Sequence, residues 1–235
     1  MPLEAVVLAA GEGRRMRPLT ERWPKPVLPI DGRPVLATFL HELSAARIER
    51  ATIVTGHLAE QVQELVGDGS AFGLDVRFVR QPRPDGAPDA LLRAGVEPPF
   101  LVSASDTVYA PGTVGRFLRA YEETVAAGAM SVRRQPGRPQ ATGTRVEGGF
   151  ISRALDRSVP EGLTAAPLLA IGEPVAARLE EVCAPPFRPP YEITDAFQRA
   201  IDAGERVLAV EIEPTRDLTD PLDLVEENFP YLAGP

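Results

Sequence analysis

VVLAAGEGRRMRPLTERWPKPVLPI, residues 6–30, begins as an apolar run and passes at Gly11 into a loop dense in glycine and arginine. A short apolar run that halts at a glycine reads as a parallel strand buried on both faces. Gly11 and Gly13 carry no Cβ and let backbone approach a ligand closely. Arg14, Arg15, Arg17, Arg22 and Lys25 place five cations within twelve residues, with Glu12 and Glu21 beside them. Clustered cations and backbone N–H groups after a buried strand describe an anion cradle. The plainer alternative is a solvated surface loop. Lys25 is the only lysine in 235 residues; the other 24 basic side chains are arginines. The loop is not a P-loop, because G-x-x-x-x-G-K-[ST] is absent. Nor is it a dinucleotide fingerprint, because Met16 stands where a third glycine is required.

Outward from this stretch, strand and helix patterns alternate. Val35, Leu36, Phe39, Leu40 and Leu43 share one helical face over residues 34–48, with Pro34 at a first-turn position. Strands are expected at 51–54, 76–79 and 100–103, and helices at 59–66, 89–94 and 113–126. The last of these presents Val114, Phe117, Leu118, Tyr121 and Val125 on one face. Further on, strand-like pieces at 130–133, 143–146, 150–155 and 168–171 precede helices near 174–182 and 194–203. A strand at 207–212 and a helix at 221–229 follow. This alternation predicts an α/β fold: a doubly wound, mostly parallel sheet flanked by helices, with a small antiparallel sub-lobe between 130 and 190. One domain is expected over 1–235. It divides into a first half of about 1–128 and a second of about 129–235 that includes the sub-lobe. In such folds the site lies beyond the carboxyl ends of the strands, at a switch in strand order.

Composition excludes several chemistries. The chain is 44% hydrophobic and 25% charged, with a net charge of −8. No basic run suggests nucleic acid as a partner. A lone cysteine, Cys183, rules out an intrachain disulfide. Two histidines, His41 and His57, leave almost nothing for a Ser-His-Asp, Cys-His or multi-His metal mechanism. His41 is expected on the exposed side of its helix, His57 in a loop, and Trp23 against the proline-rich loop. No apolar run approaches the ~18 residues of a membrane span, and the N-terminus lacks the basic flank of a signal peptide. A cytoplasmic location is expected.

Residues 8–20, LAAGEGRRMRPLT, followed by 24–30, PKPVLPI, resemble the signature of the sugar-phosphate nucleotidyltransferases. The resemblance runs over 5–115, fades from 130 to 190 and returns near the C-terminus. It implies a Rossmann-like, GT-A-like fold and transfer of NMP from an NTP to a sugar 1-phosphate, with release of pyrophosphate, with a nucleotide-binding half over about 1–128 and an acceptor-binding sub-lobe and C-terminal metal segment over about 129–235. It further implies that Leu8, Ala10, Gly11, Gly13 and Arg14 line the nucleotide site. Arg15 would face the triphosphate, and Lys25 the α-phosphate and the incoming phosphate. Lysine is a compact point charge and the arginine fork is broad, which would explain why lysine survives at this one place.

The remaining family positions are assigned by the same resemblance. Asp106, in LVSASDTVY, and Asp217, in RDLTDPLDL, would hold Mg²⁺, a hard ion that takes oxygen ligands. Asp220 and Asp223 read better as cap or turn residues. In QPRPDGAPDALL, Gln81 and Gly86 would meet the nucleobase, and the Pro-Asp-Gly form leans toward thymidylyl or uridylyl transfer rather than guanylyl. A plain turn accounts for the same residues. Glu192, in YEITDAF, would contact the sugar; alternatively it is solvated while Thr194 caps a helix. Between 140 and 160 the family has Glu-Lys-Pro, where this chain offers Asp156-Arg157-Ser158. The charges persist and the side-chain lengths do not. The acceptor's identity therefore stays open, with a phosphoalcohol, another cofactor-type acceptor or a non-catalytic nucleotide-binding role as alternatives. A homo-oligomer is among the open options. The nucleophile of such a reaction is already an anion, so a chain nearly without histidine suits it.

Overall fold

The structure is a computed structural model that describes residues 3–134, 143–156 and 163–229. In chain order the strands are β1 (Glu4–Ala9), β2 (Pro29–Ile30), β3 (Arg33–Pro34), β4 (Arg50–Thr55), β5 (Asp75–Arg80), β6 (Phe100–Ala104) and β7 (Thr107–Val108). They continue as β8 (Gly128–Arg133), β9 (Gly143–Glu147), β10 (Phe150–Asp156), β11 (Thr164–Ile171), β12 (Val207–Glu211) and β13 (Arg216–Asp217). The helices are α1 (Val35–Ala45), α2 (Ala59–Val66), α3 (Ala87–Ala94), α4 (Thr113–Glu122), α5 (Glu173–Ala176), α6 (Leu179–Val182), α7 (Ile193–Asp202) and α8 (Pro221–Asn228).

One nine-stranded sheet runs in the order β5-β4-β1-β6-β11-β8-β12-β10-β9. β5, β4, β1 and β6 pair in parallel, and so do β8 and β12, whereas β11 and β10 run against their neighbours. Seven of the nine strands therefore point the same way, which fits the expected mostly parallel sheet. The antiparallel character expected between 130 and 190 is real. Its strands β8 and β11 are inserted into the main sheet, because β11 pairs directly with β6.

Burial explains the runs. On β1, Ala5, Val7 and Ala9 join a core with Leu36, Phe39 and Leu40 of α1 and Phe117 of α4. Val6 faces the other way, into a core with Leu91 of α3, Val182 of α6 and Phe197 of α7. A strand covered on both faces has no polar side to show.

Two expectations fail locally. Val125 shares the face of the helix expected over 113–126, but α4 ends at Glu122 and Val125 is 91% exposed. The chain leaves the helix there to enter β8. The helix expected near 174–182 is two single turns, α5 and α6, and the bend between them brings Val175, Leu179 and Val182 into the core together.

Candidate active site

The chain passes from β1 to β4 and β5 on one side, then crosses to β6 on the other. The switch in strand order thus falls between β1 and β6, which pair from Glu4↔Phe100 to Leu8↔Ala104. A cavity of about 260 Å³ opens at their carboxyl ends. Leu8, Ala10 and Gly11 form one wall, Ser105 and Asp106 another, and Gln81 and Gly86 a third, with Lys25 among them. Residues placed 81 positions apart in sequence meet because both strand ends deliver their loops to the same crevice.

Lys25 lies in a single 3-10 turn, and its Nζ is 2.7 Å from Asp106 Oδ2. Both groups are partly buried, with side chains 16% and 28% exposed. Gly13 makes room for this lysine. Its φ is +60°, and a Cβ there would come within 3.0 Å of Lys25 Cγ. A Cβ at Gly11 would meet nothing within 4 Å, so the space next to it belongs to the cavity.

The loop is fixed from beneath by Met16, Leu28, Ile30, Val35 and Leu218, which form a separate apolar cluster. Met16, rather than the expected Trp23, packs the loop; Trp23 is 47% exposed. His57 also braces it through a 2.6 Å ring hydrogen bond to Thr20 O, and His41 is exposed as expected.

The five loop cations do not act as one patch. Arg14 and Arg17 pair with Glu12, at 2.8 and 3.5 Å. The Arg14 hydrogen bond, with both guanidinium charges, holds the Glu12 carboxyl below its ordinary range. Arg14 lines a neighbouring cleft with Glu12 and Gly13. Arg15 is exposed and does not line the cavity. Of the five, Lys25 alone lines it.

Asp217 arrives from the other end of the chain. β13 pairs antiparallel with β7, and Asp217 stands opposite Thr107, next to Asp106. Leu218, fully buried in the cluster under the loop, anchors it there. Thr219 Oγ1 donates to Asp217 Oδ1 at 2.7 Å. Asp220 and Asp223 form the capping box of α8, which agrees with their reading as cap or turn residues.

α8 and the residues before it also reach back to the signature. Arg216 engages Asp31 in the β2–β3 turn and Glu227 on α8. Asn228 donates to Pro29 O at 2.8 Å and accepts from Gly32 N at 3.0 Å.

Arg133, which the sequence reading passed over, stands beside Asp217. It closes β8, with its side chain 12% exposed and Nη2 3.7 Å from Asp217 Oδ2. The signal was a cation at the carboxyl end of a buried strand, the same placement that singled out Asp106. Of the expected acceptor pair, Asp156 alone falls within the described residues. Asp156 is buried and its carboxylate pairs with Arg145 of the adjacent strand at 2.8 Å. That salt bridge ties β9 to β10. Arg157 lies outside the described residues.

Glu192 is exposed just ahead of α7, and Thr194 is not the cap. The adjoining Tyr191 donates its N–H to Asp85 O at 2.8 Å and forms a bridge with Gly86. This contact explains the glycine. At φ +108° a Cβ on residue 86 would collide with the backbone N and O of Tyr191. Backbone cannot yield cheaply, so Gly86→Ala is expected to cost about 2–4 kcal/mol of stability. Urea unfolding measures this, and a loss below about 0.5 kcal/mol contradicts it.

The model of the nucleotidyl transferase family matches residues 4–143. The chain belongs to this family. Among curated relatives, glucose-1-phosphate thymidylyltransferase of Streptomyces griseus is 29% identical over 232 residues, 94% of this chain and 65% of the relative. N-acetylmuramate alpha-1-phosphate uridylyltransferase of Neisseria meningitidis is 36% identical over 111 residues, 45% of this chain and 48% of the relative. CMP-5'-(3-aminopropyl)phosphonate synthase of Streptomyces rubellomurinus is 34% identical over 137 residues, 57% of this chain and 22% of the relative. The chain thus spans less than two thirds of the length of these relatives. The solved structure of a UDP-glucose pyrophosphorylase with UDP-glucose superposes with a TM-score of 0.83 at 19% identity, covering 100% of both chains. The nucleotidyl transferase fold expected from the signature is confirmed. No helix among the described residues is long and apolar enough to cross a membrane.

Proposed function

We propose that this chain transfers NMP from an NTP to a sugar 1-phosphate and releases pyrophosphate, forming an NDP-sugar. The observation that carries the reading is the Lys25–Asp106 pair at 2.7 Å on the wall of the switch-point cavity, with Asp217 on the adjoining ladder. An oxygen of the acceptor phosphate attacks the α-phosphorus. The bond from that phosphorus to the α,β-bridging oxygen breaks, and its electrons leave with pyrophosphate. The attacking oxygen is already anionic, so no side chain must remove a proton. The protein supplies orientation and positive charge. Lys25 stands where the α-phosphate and the incoming phosphate converge. Arg15, exposed on the loop, supports the triphosphate side. Arg133, next to Asp217, adds positive charge on the acceptor side where the family's lysine is missing. Glu192, exposed just ahead of α7, is assigned to the sugar.

Asp106 and Asp217 offer only carboxylate oxygens, and the β7–β13 ladder sets Asp217 opposite Thr107, the residue after Asp106. That donor set suits Mg²⁺, which prefers oxygen and leaves coordination positions for phosphates. When bound there, Mg²⁺ would neutralise phosphate charge. The Pro84-Asp85-Gly86 turn beside Gln81 supports uracil or thymine over guanine as the base.

Purified protein with Mg²⁺, each common NTP and a panel of phosphate acceptors tests the reading, with pyrophosphate release as readout. UTP or dTTP with a hexose 1-phosphate is expected to be productive. Release confined to a phosphoalcohol or phosphonate acceptor, or absent with every pair, overturns it.

A further inference from the structure

At the base end of the cavity, Gln81 is only 5% exposed. Its Nε2 donates twice, to Gly86 O at 3.0 Å and to Asp89 Oδ2 at 2.8 Å. One acceptor is a backbone carbonyl and the other a carboxylate, and neither can donate. The amide nitrogen must therefore face them and the amide oxygen must face away. Among the described residues Oε1 has no hydrogen-bond partner, and it is not sealed from solvent. Gln81 lines the cavity, so this oxygen is the group it offers a ligand. Asp89 is itself held on the first turn of α3 by Arg93 Nε at 2.7 Å. Burial pushes its carboxyl up, but hydrogen bonds from Arg93 and Gln81, with the nearby arginine charges, outweigh that and hold it below the ordinary range. At neutral pH it stays a pure acceptor.

We infer that Asp89 is a positioning residue that locks the Gln81 amide with its oxygen toward the base, so that the site takes nucleotides whose ring edge presents an N–H and rejects those presenting a lone pair there. Uracil, thymine and guanine carry this hydrogen on a ring nitrogen and are in the first class; cytosine and adenine carry a ring lone pair there, with N–H only on the exocyclic amine, and are in the second. The inference rests on the cavity being the nucleotide pocket of the proposed reaction. It adds a residue outside the cavity wall and a mechanism for choosing the base. An acceptor facing a lone pair leaves two buried polar atoms unsatisfied. Sites built around one hydrogen bond reject the analogue that lacks it by large factors.

Isothermal titration calorimetry of the full chain with Mg²⁺ and UTP, dTTP, GTP, CTP or ATP reads this directly. The best of the first three is expected to bind ~10²-fold more tightly than CTP. Asp89→Ala should narrow that ratio about tenfold, since Gln81 then keeps only Gly86 O and its amide can turn. Asp89→Asn should preserve the ratio, because one amide oxygen can accept both bonds that Oδ2 accepts. A residue that merely packs the wall would weaken UTP and CTP alike. If Asp89→Ala does not fold, the wild-type ratio and Gln81→Ala, which should also level the nucleotides, decide the matter. Wild-type protein that binds CTP as tightly as UTP, or Asp89→Ala that keeps the full ratio, overturns the inference, while continued pyrophosphate release leaves the transfer reading standing. Failure of every nucleotide to bind overturns both.

Discussion

Lys25→Ala is expected to lower kcat by ~10²-fold or more, the usual cost of removing a charge that meets the transition state in a preorganised site. The stability of the protein should hardly change. The Lys25–Asp106 pair is partly solvated, and such pairs contribute about 1 kcal/mol or less. Unchanged urea unfolding beside collapsed turnover would separate chemistry from folding. Lys25→Arg should rescue poorly. The lysine stem runs against Gly13, where even a Cβ would crowd it at 3.0 Å, and the planar guanidinium needs more width than the ammonium. Single-turnover pyrophosphate release on the three proteins measures both effects. Normal turnover by the alanine variant removes Lys25 from the mechanism, and full rescue by arginine removes the steric argument.

Asp217→Ala is expected to lower kcat/KM by ~10²–10³-fold and to raise the Mg²⁺ concentration needed for half-maximal rate. The carboxylate belongs to the residue paired with Thr107, which directly follows Asp106. Its loss also leaves Arg133, 3.7 Å away, beside no opposing Asp217 charge. Asp220→Ala is the control. That residue caps α8 through its hydrogen bond to Leu222 N, so its loss should lower stability by about 1 kcal/mol and leave the Mg²⁺ requirement unchanged. Equal Mg²⁺ curves for wild type and Asp217→Ala would exclude Asp217 as a ligand.

Much of the fold and part of the site could be read in the residues. Apolar runs such as Val6–Leu8 were decisive because a strand covered on both faces must be apolar throughout. The signature loop was legible because its chemistry is local: Gly13, Met16 and Lys25 lie within one short segment. The features that escaped depend on tertiary pairing. The pairing of Asp156 with Arg145 was not legible, because it needs β9 laid against β10. Arg133 looked like the end of a strand until β13 placed Asp217 beside it. Asp89 begins the helix expected over 89–94, and its hydrogen bond from Gln81 shows only once β5 and α3 are brought together. Val125 kept the helical period after the helix itself had ended, because periodicity does not report where a chain must turn to begin the next strand.

Arg216 and Asn228 have an implication for anyone hunting inactive variants. These two side chains grip Asp31, Pro29 and Gly32, the turn directly after the segment that bears Lys25. A genetic screen scored on lost turnover should therefore return lesions in the final helix. A search ranked by nearness to substrate would discard those same lesions as bystanders.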